Sequence, residues 1–196
     1  MNIKYLNRTA FKAKVQKIND DYWNRTWEGR WKYMHPVIKE IPSLKPVSIV
    51  QLGNNFKILE LGAYKINLTN ISDNMDLEYD FIDPDNRNNK MYIQDAINLP
   101  WNIENKYYDV FIALQVFEHF ENEKQSEVFK EVMRVSKNAI LSFPYKWNKP
   151  DDLIHHMIDD YTIKRWTNGV TPEKVIYINV PKRRRRVIYV FKFKNN

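Results

Sequence analysis

Apolar residues change their spacing along this chain in a way that alternates strands with helices. The run Phe56-Lys57-Ile58-Leu59-Glu60-Leu61-Gly62 is short, apolar and closed by an acid and a glycine. Such a run predicts a buried strand whose carboxyl end opens into a ligand crevice. Tyr79-Asp80-Phe81-Ile82-Asp83-Pro84 repeats the design. Met91 to Gln94 is a short strand, Tyr108 to Leu114 a buried one, and Ala139 to Phe143 another, stopped by Pro144. Between the last two, Asn122 to Val135 places Val128, Phe129, Val132 and Val135 on one helical face. Asp160 to Trp166 predicts a short helix. Lys174 to Val180 and Val187 to Phe193 are β-rich runs joined by a short basic turn, the pattern of an antiparallel hairpin. Alternating βα units that finish in a hairpin predict an α/β fold, with a mostly parallel sheet and one reversed strand.

The lead-in differs. Trp23, Trp27 and Trp31 recur every fourth residue, so a helix would align them as one stripe. That stripe is expected to pack on the core; the alternative is an aromatic wall over a substrate pocket. Pro36, Pro42 and Pro46 are expected to end regular helix. Residues 1-52 therefore read as a helical, aromatic cap, and residues 53-196 as the core.

Composition narrows the chemistry. The chain has 196 residues, enough for one substantial core, and none of them is cysteine. Disulfides, thiolate nucleophiles and cysteine zinc sites are excluded, and a cytoplasmic address is expected. No apolar run is long enough to span a bilayer. The net charge of +7 draws heavily on Lys182-Arg183-Arg184-Arg185-Arg186. Phosphate contacts could use such a cluster. Five consecutive charges at a hairpin tip with no interleaved aromatic residues are more simply a solvated turn, and an anionic small molecule or nucleotide-linked sugar suits the chain better than RNA.

One ordered set of motifs points to a family. Asp95-Ala96-Ile97-Asn98-Leu99-Pro100-Trp101 is followed by the strand at Tyr108 to Leu114 and then by Gln115-Val116-Phe117-Glu118-His119-Phe120. This resembles the class I S-adenosylmethionine (SAM) dependent methyltransferases, most closely their small-molecule, ubiquinone-biosynthesis-like branch. The resemblance covers roughly residues 57 to 145. It implies a Rossmann-like, mostly parallel seven-stranded sheet with helices on both faces. It also implies site roles: Asp83 for the ribose hydroxyls, Asp95 and Ala96 for the adenine edge, Glu60 and Gly62 with Ala63 and Tyr64 for the methionine end, and Gln115 lining the pocket. Carboxylates suit hydroxyl and amine donors because they accept strong charge-assisted hydrogen bonds. The family's usual Gly-x-Gly is here Gly62-Ala63-Tyr64, so a side chain stands where bare backbone is customary.

Methyl transfer to a hydroxyl needs in-line positioning and a base for the proton. Glu118, His119, His155 and His156 are the candidates. The expected activity is methyl transfer from SAM to a small-molecule hydroxyl, with a sugar or glycan precursor as one acceptor. Two alternatives stand beside it. The altered glycine loop suits a non-catalytic methyltransferase-like scaffold. Glu118, His119 and a later histidine could instead hold a divalent cation, resembling the metal-dependent small-RNA 2′-O-methyltransferases, although Gln115 stands where one of their acids is expected.

Overall fold

The computed structural model describes residues 27–44, 56–62, 77–82, 91–92, 96–147, 156–179 and 185–194. Three α-helices occur there: α1 (Trp27–Glu40), α2 (Asn122–Val135) and α3 (Asp160–Trp166). The strands are β1 (Phe56–Leu61), β2 (Leu77–Ile82), β3 (Met91–Tyr92), β4 (Val110–Leu114), β5 (Asn138–Pro144), β6 (Lys174–Ile178) and β7 (Arg186–Lys192). They form one mixed sheet in the order β3-β2-β1-β4-β5-β7-β6. Neighbours are parallel except at β7, which runs antiparallel to both β5 and β6. The chain thus winds outward from β1 in one direction, returns, and winds outward from β4 in the other. The crevice at the β1–β4 boundary is where an open α/β sheet binds ligands.

Strand alternation explains the two cores. On one face, Leu59 and Leu61 of β1, Phe111 and Ala113 of β4, and Leu141 and Phe143 of β5 meet Val128, Phe129 and Val132 of α2 and Ile163 and Trp166 of α3. On the other, Ile58, Val110, Ile112, Ile140 and Ile188 meet Tyr33, Met34, Val37 and Ile38 of α1. Central strands buried on both faces read as unbroken apolar runs, which is why β4 and β5 were conspicuous in the sequence. Helices therefore cover both faces.

Pro36 does not end its helix, contrary to the expectation above: α1 runs from Trp27 to Glu40 through it. An interior proline costs a helix about 3 kcal/mol. The buried stripe Tyr33, Met34, Val37, Ile38 and Ile41 extends on both sides of the proline. Each such side chain is worth roughly 1.5–3 kcal/mol of burial, so packing outweighs the break. Pro42 falls in the 3-10 turn Ile41–Leu44 that follows α1. Of the tryptophan stripe, Trp31 packs partly against the second core and stacks on His35 at 4.8 Å. Trp23 and Pro46 lie outside the described residues. No described helix is long and apolar enough to cross a membrane.

Candidate functional site

The carboxyl ends of β1 and β4 lie side by side, with Leu61 opposite Ala113 in the parallel ladder. The chain leaves β1 at Gly62, an exposed residue with φ +71°, and leaves β4 at Gln115, with φ +62°. Left-handed backbone is open to glycine without strain and is uncommon for a residue such as Gln115. Glycine is required at 62 for a second reason. An ideal Cβ there would stand 2.6 Å from Cγ2 of Val116, the residue just after Gln115.

Gln115 is fastened to β5. Its backbone N–H donates to the Ser142 carbonyl at 2.9 Å, and its Nε2 donates to Ser142 Oγ at 3.0 Å. Its Oε1 is buried and has no donor among the described residues. A buried amide oxygen without a partner is costly, and a ligand N–H or O–H at this edge would relieve it. Bare, exposed backbone at Gly62 and an unpartnered acceptor at Gln115 suit a polar, elongated ligand such as the methionine end of SAM.

After Gln115 the chain makes a 3-10 turn, Phe117–His119. Phe117 is its anchor, buried against Phe143 and stacked on Trp166 with ring centroids 5.1 Å apart. Buried Gln125 of α2 secures the turn by donating from Nε2 to the Phe117 carbonyl at 3.0 Å and the Phe120 carbonyl at 3.3 Å. Glu118 points inward, only 2% exposed, and its Oε2 has no hydrogen-bond partner among the described residues. Burial raises its carboxyl to a pKa of about 8, against opposing contributions from a backbone hydrogen bond and the Arg186 charge. It is thus protonated at neutral pH. The adjacent His119 is exposed at the edge.

His156 reaches the same place from the other direction. Its backbone N–H donates to the Glu118 carbonyl at 2.7 Å. The segment carrying it lies along the end of β5: Tyr145 bridges Ile158, and Lys146 N–H donates to the Ile158 carbonyl. Tyr145 Oη then donates to Asp160 Oδ2 at 2.5 Å, tying the start of α3 to β5. Burial, and after it the bond to Asp160, pushes the Tyr145 hydroxyl upward, so it stays a neutral donor.

The segment that begins at Ala96 is held against α2. Ala96 is buried, and its carbonyl accepts from Trp101 Nε1 at 3.3 Å. Glu131 of α2 accepts the Trp101 backbone N–H on Oε1 at 2.7 Å, and Arg134 donates to the Trp101 and Ile103 carbonyls. Arg134 also pairs with Glu131 at 2.6 Å. This clamp, the Gln125 brace and the Ser142 bond were missed in the sequence. An acid and an arginine three apart on one helix were visible there. That they grip a distant loop was not.

The structure therefore brings together Gly62, Gln115, Glu118, His119 and His156 along one sheet edge, with buried Glu60 at the end of β1. Ala63, Tyr64, Asp83, Asp95 and His155 lie outside the described residues. Among the described residues, no group of three or more His, Asp or Glu side chains could hold a metal ion.

No protein-family model matches the chain, and no curated protein matches it significantly. Solved structures do. A protein of Pyrococcus horikoshii OT3 is similar over 95% of this chain and 97% of its own, at 17% identity and a TM-score of 0.60. A SAM-dependent methyltransferase of Leishmania major is similar over 97% of both chains, at 14% identity and a TM-score of 0.55. One from Aquifex aeolicus covers 92% of this chain and 98% of its own, at 13% identity and a TM-score of 0.53. At such identities the likeness is one of fold: the chain has the Rossmann-like fold of class I SAM-dependent methyltransferases.

Proposed function

We propose that this protein is a SAM-dependent methyltransferase that acts on a hydroxyl group of a small molecule. The observation that carries the reading is the pair Gly62 and Gln115, both in left-handed backbone, flanking the switch point of a methyltransferase-type sheet. In this reading the Gly62 backbone and Gln115 Oε1 take the methionine end of SAM, with Glu60 behind them. Asp83 accepts from the ribose hydroxyls, and Asp95 with Ala96 recognises the adenine edge. Bound SAM supplies an electrophilic methyl group on its sulfonium.

The protein's own part is positioning and proton transfer. A hydroxyl acceptor must give up its proton as its oxygen bonds to carbon, and an imidazole is suited to take it near neutral pH. His119 and His156 are the described candidates, and His155 adjoins the second. Glu118 serves better as a neutral, buried support than as a base. Its main-chain carbonyl holds His156, and its carboxyl carries its proton at pH 7. The same burial disfavours Glu118 as an ionised metal ligand, so the metal-free reading is preferred over the RNA-modifying one. A sugar or glycan precursor fits as acceptor because a carbohydrate offers many hydroxyls and stacks on aromatic rings such as those of the N-terminal region.

Calorimetry with SAM and S-adenosylhomocysteine tests the cofactor reading. Micromolar binding is expected, and Asp83→Ala should weaken it by about tenfold or more, as the loss of a charge-assisted bond pair implies. Failure of either ligand to bind at millimolar concentration would overturn the enzyme in favour of a non-catalytic scaffold. Release of S-adenosylhomocysteine in the presence of hydroxylated acceptors then identifies the substrate.

A further inference from the structure

The edge opposite the crevice carries a second concavity. A groove of about 720 Å³ opens between the segment before β4, the end of α2, the loop after α3 and the end of β7. Parallel strands place these pieces at the amino ends of β4 and β5, whereas Gly62 and Gln115 lie at carboxyl ends. Five residues of β4 separate the two edges by about 17 Å at a strand's usual rise. The groove is therefore distinct from the proposed methyl-transfer site.

Its lining is lopsided. Lys106, Lys130, Arg134, Lys192 and Lys194 make up five of its ten residues, and no acid is among the ten. Arg134 is answered by Glu131 from behind, and Lys192 by exposed Glu173 at 3.3 Å. Lys106 Nζ is spent on carbonyls instead, donating to Met133 O at 2.6 Å and Ser136 O at 3.1 Å, and burial lowers its pKa. Lys130 and Lys194 are exposed and have no ion-pair partner among the described residues. The rest of the wall is largely apolar, with Met133, Val170 and Phe193 packed at the edge of the first core.

Positive charge at the rim and apolar surface beneath select a ligand with both properties. We infer that this groove binds a small amphipathic organic anion, a carboxylate, sulfonate or phosphate monoester with an aromatic or aliphatic body. The volume lies within the roughly 300–1,000 Å³ usual for small-molecule sites. Lys130 and Lys194 would attract the anionic head, and Met133, Val170 and Phe193 would cover the body. A polymer backbone needs no such apolar floor, which favours a small ligand over nucleic acid. The site is independent of the methyltransferase reading and fits an effector.

8-Anilinonaphthalene-1-sulfonate is a suitable probe, because its emission rises when its rings leave water. Saturable binding is expected, weakened about tenfold by Lys130→Glu with Lys194→Glu, since each reversal turns an attraction into a repulsion. Thr171→Trp, which crowds the groove without changing charge, should also weaken it. Thermal unfolding checks that both variants fold, and SAM binding should be the same in all three proteins. Undiminished probe binding in both variants would overturn the inference, as would equal affinity for the uncharged N-phenyl-1-naphthylamine. So would a single-stranded oligonucleotide whose binding depends on Lys130 and Lys194 while the probe's does not.

Discussion

Gly62 and Val116 belong to different strand exits, yet a single methyl group on Gly62 would drive them into collision, with 2.6 Å between the new Cβ and Val116 Cγ2. Two penalties meet in Gly62→Ala. The φ of +71° costs an L-residue about 1–2 kcal/mol, and the contact must be relieved by movement of Val116. Gly62→Ala is expected to unfold at lower denaturant concentration and to bind SAM at least about tenfold more weakly, because the new methyl occupies the ligand's approach. Adding Val116→Ala should recover the collision part of the stability loss and leave the backbone part. Complete recovery would show that the left-handed conformation is not under strain.

Glu118 makes stability depend on pH. Its folded pKa of about 8 lies above the ordinary carboxylate value of 4.5, so the folded protein holds a proton that the unfolded chain has released. The contribution is fully present below pH 4.5 and is lost as pH rises through 8. Between pH 5 and pH 8 the loss is on the order of 3 kcal/mol. Glu118→Gln copies the neutral form and should abolish this slope. Urea unfolding at pH 5, 6.5 and 8 should show the variant gaining on the parent as pH rises; parallel curves would mean that Glu118 ionises freely.

Much of this architecture was legible because central strands and one amphipathic helix announce themselves by period. Val128, Phe129, Val132 and Val135 gave α2 its bounds, and the two β-rich runs after residue 173 gave the hairpin. Pro36 was misleading because local propensity was read without the burial on either side of it. The placement of the candidate site residues was legible in part. Gly62, Gln115 and the Glu118-His119 pair do gather at one edge, as their order relative to the strands implied. What the sequence could not convey was which polar groups turn inward. Glu118 stood among the candidate bases and cation ligands, and it is buried with its pKa raised. Gln125 and Glu131, on which the apolar period of α2 is silent, hold loops through main-chain atoms. Burial of a polar side chain is decided by the partner it meets, and that partner is distant in sequence.

Glu131 provides a test of remote positioning. It is 7% exposed and accepts from both Trp101 N–H and Arg134. Glu131→Ala leaves the buried Trp101 N–H without its acceptor and Arg134 without its carboxylate, though still bonded to the Trp101 and Ile103 carbonyls, costing about 1–3 kcal/mol. The segment beginning at Ala96 should then loosen. If that segment meets adenine, the KM for SAM should rise by about tenfold with kcat little changed, since uniform binding is what is lost. Glu131→Gln, which retains an acceptor for Trp101, should recover part of the affinity. A fall in kcat at unchanged KM would place the segment elsewhere in the reaction.

Trp166 couples the last helix to the turn that carries Glu118 and His119. It is fully buried, stacks on Phe117 at 5.1 Å and meets Phe129 and Phe143 edge-on at 5.1 and 5.7 Å. Its Nε1 is buried without an acceptor among the described residues, so indole chemistry gains nothing there over a hydrocarbon ring. Trp166→Phe should therefore be mild, losing volume while removing an unsatisfied donor. Trp166→Ala should cost about 3–5 kcal/mol, the usual consequence of a large cavity. Because Phe117 rests on the indole, the alanine variant should also free the Phe117–His119 turn. Amide exchange at His119, whose N–H donates to Val116 O at 2.9 Å, would then quicken well beyond the global loss of stability. Exchange that accelerates only in proportion to global unfolding would show that Trp166 supports the core and not the turn.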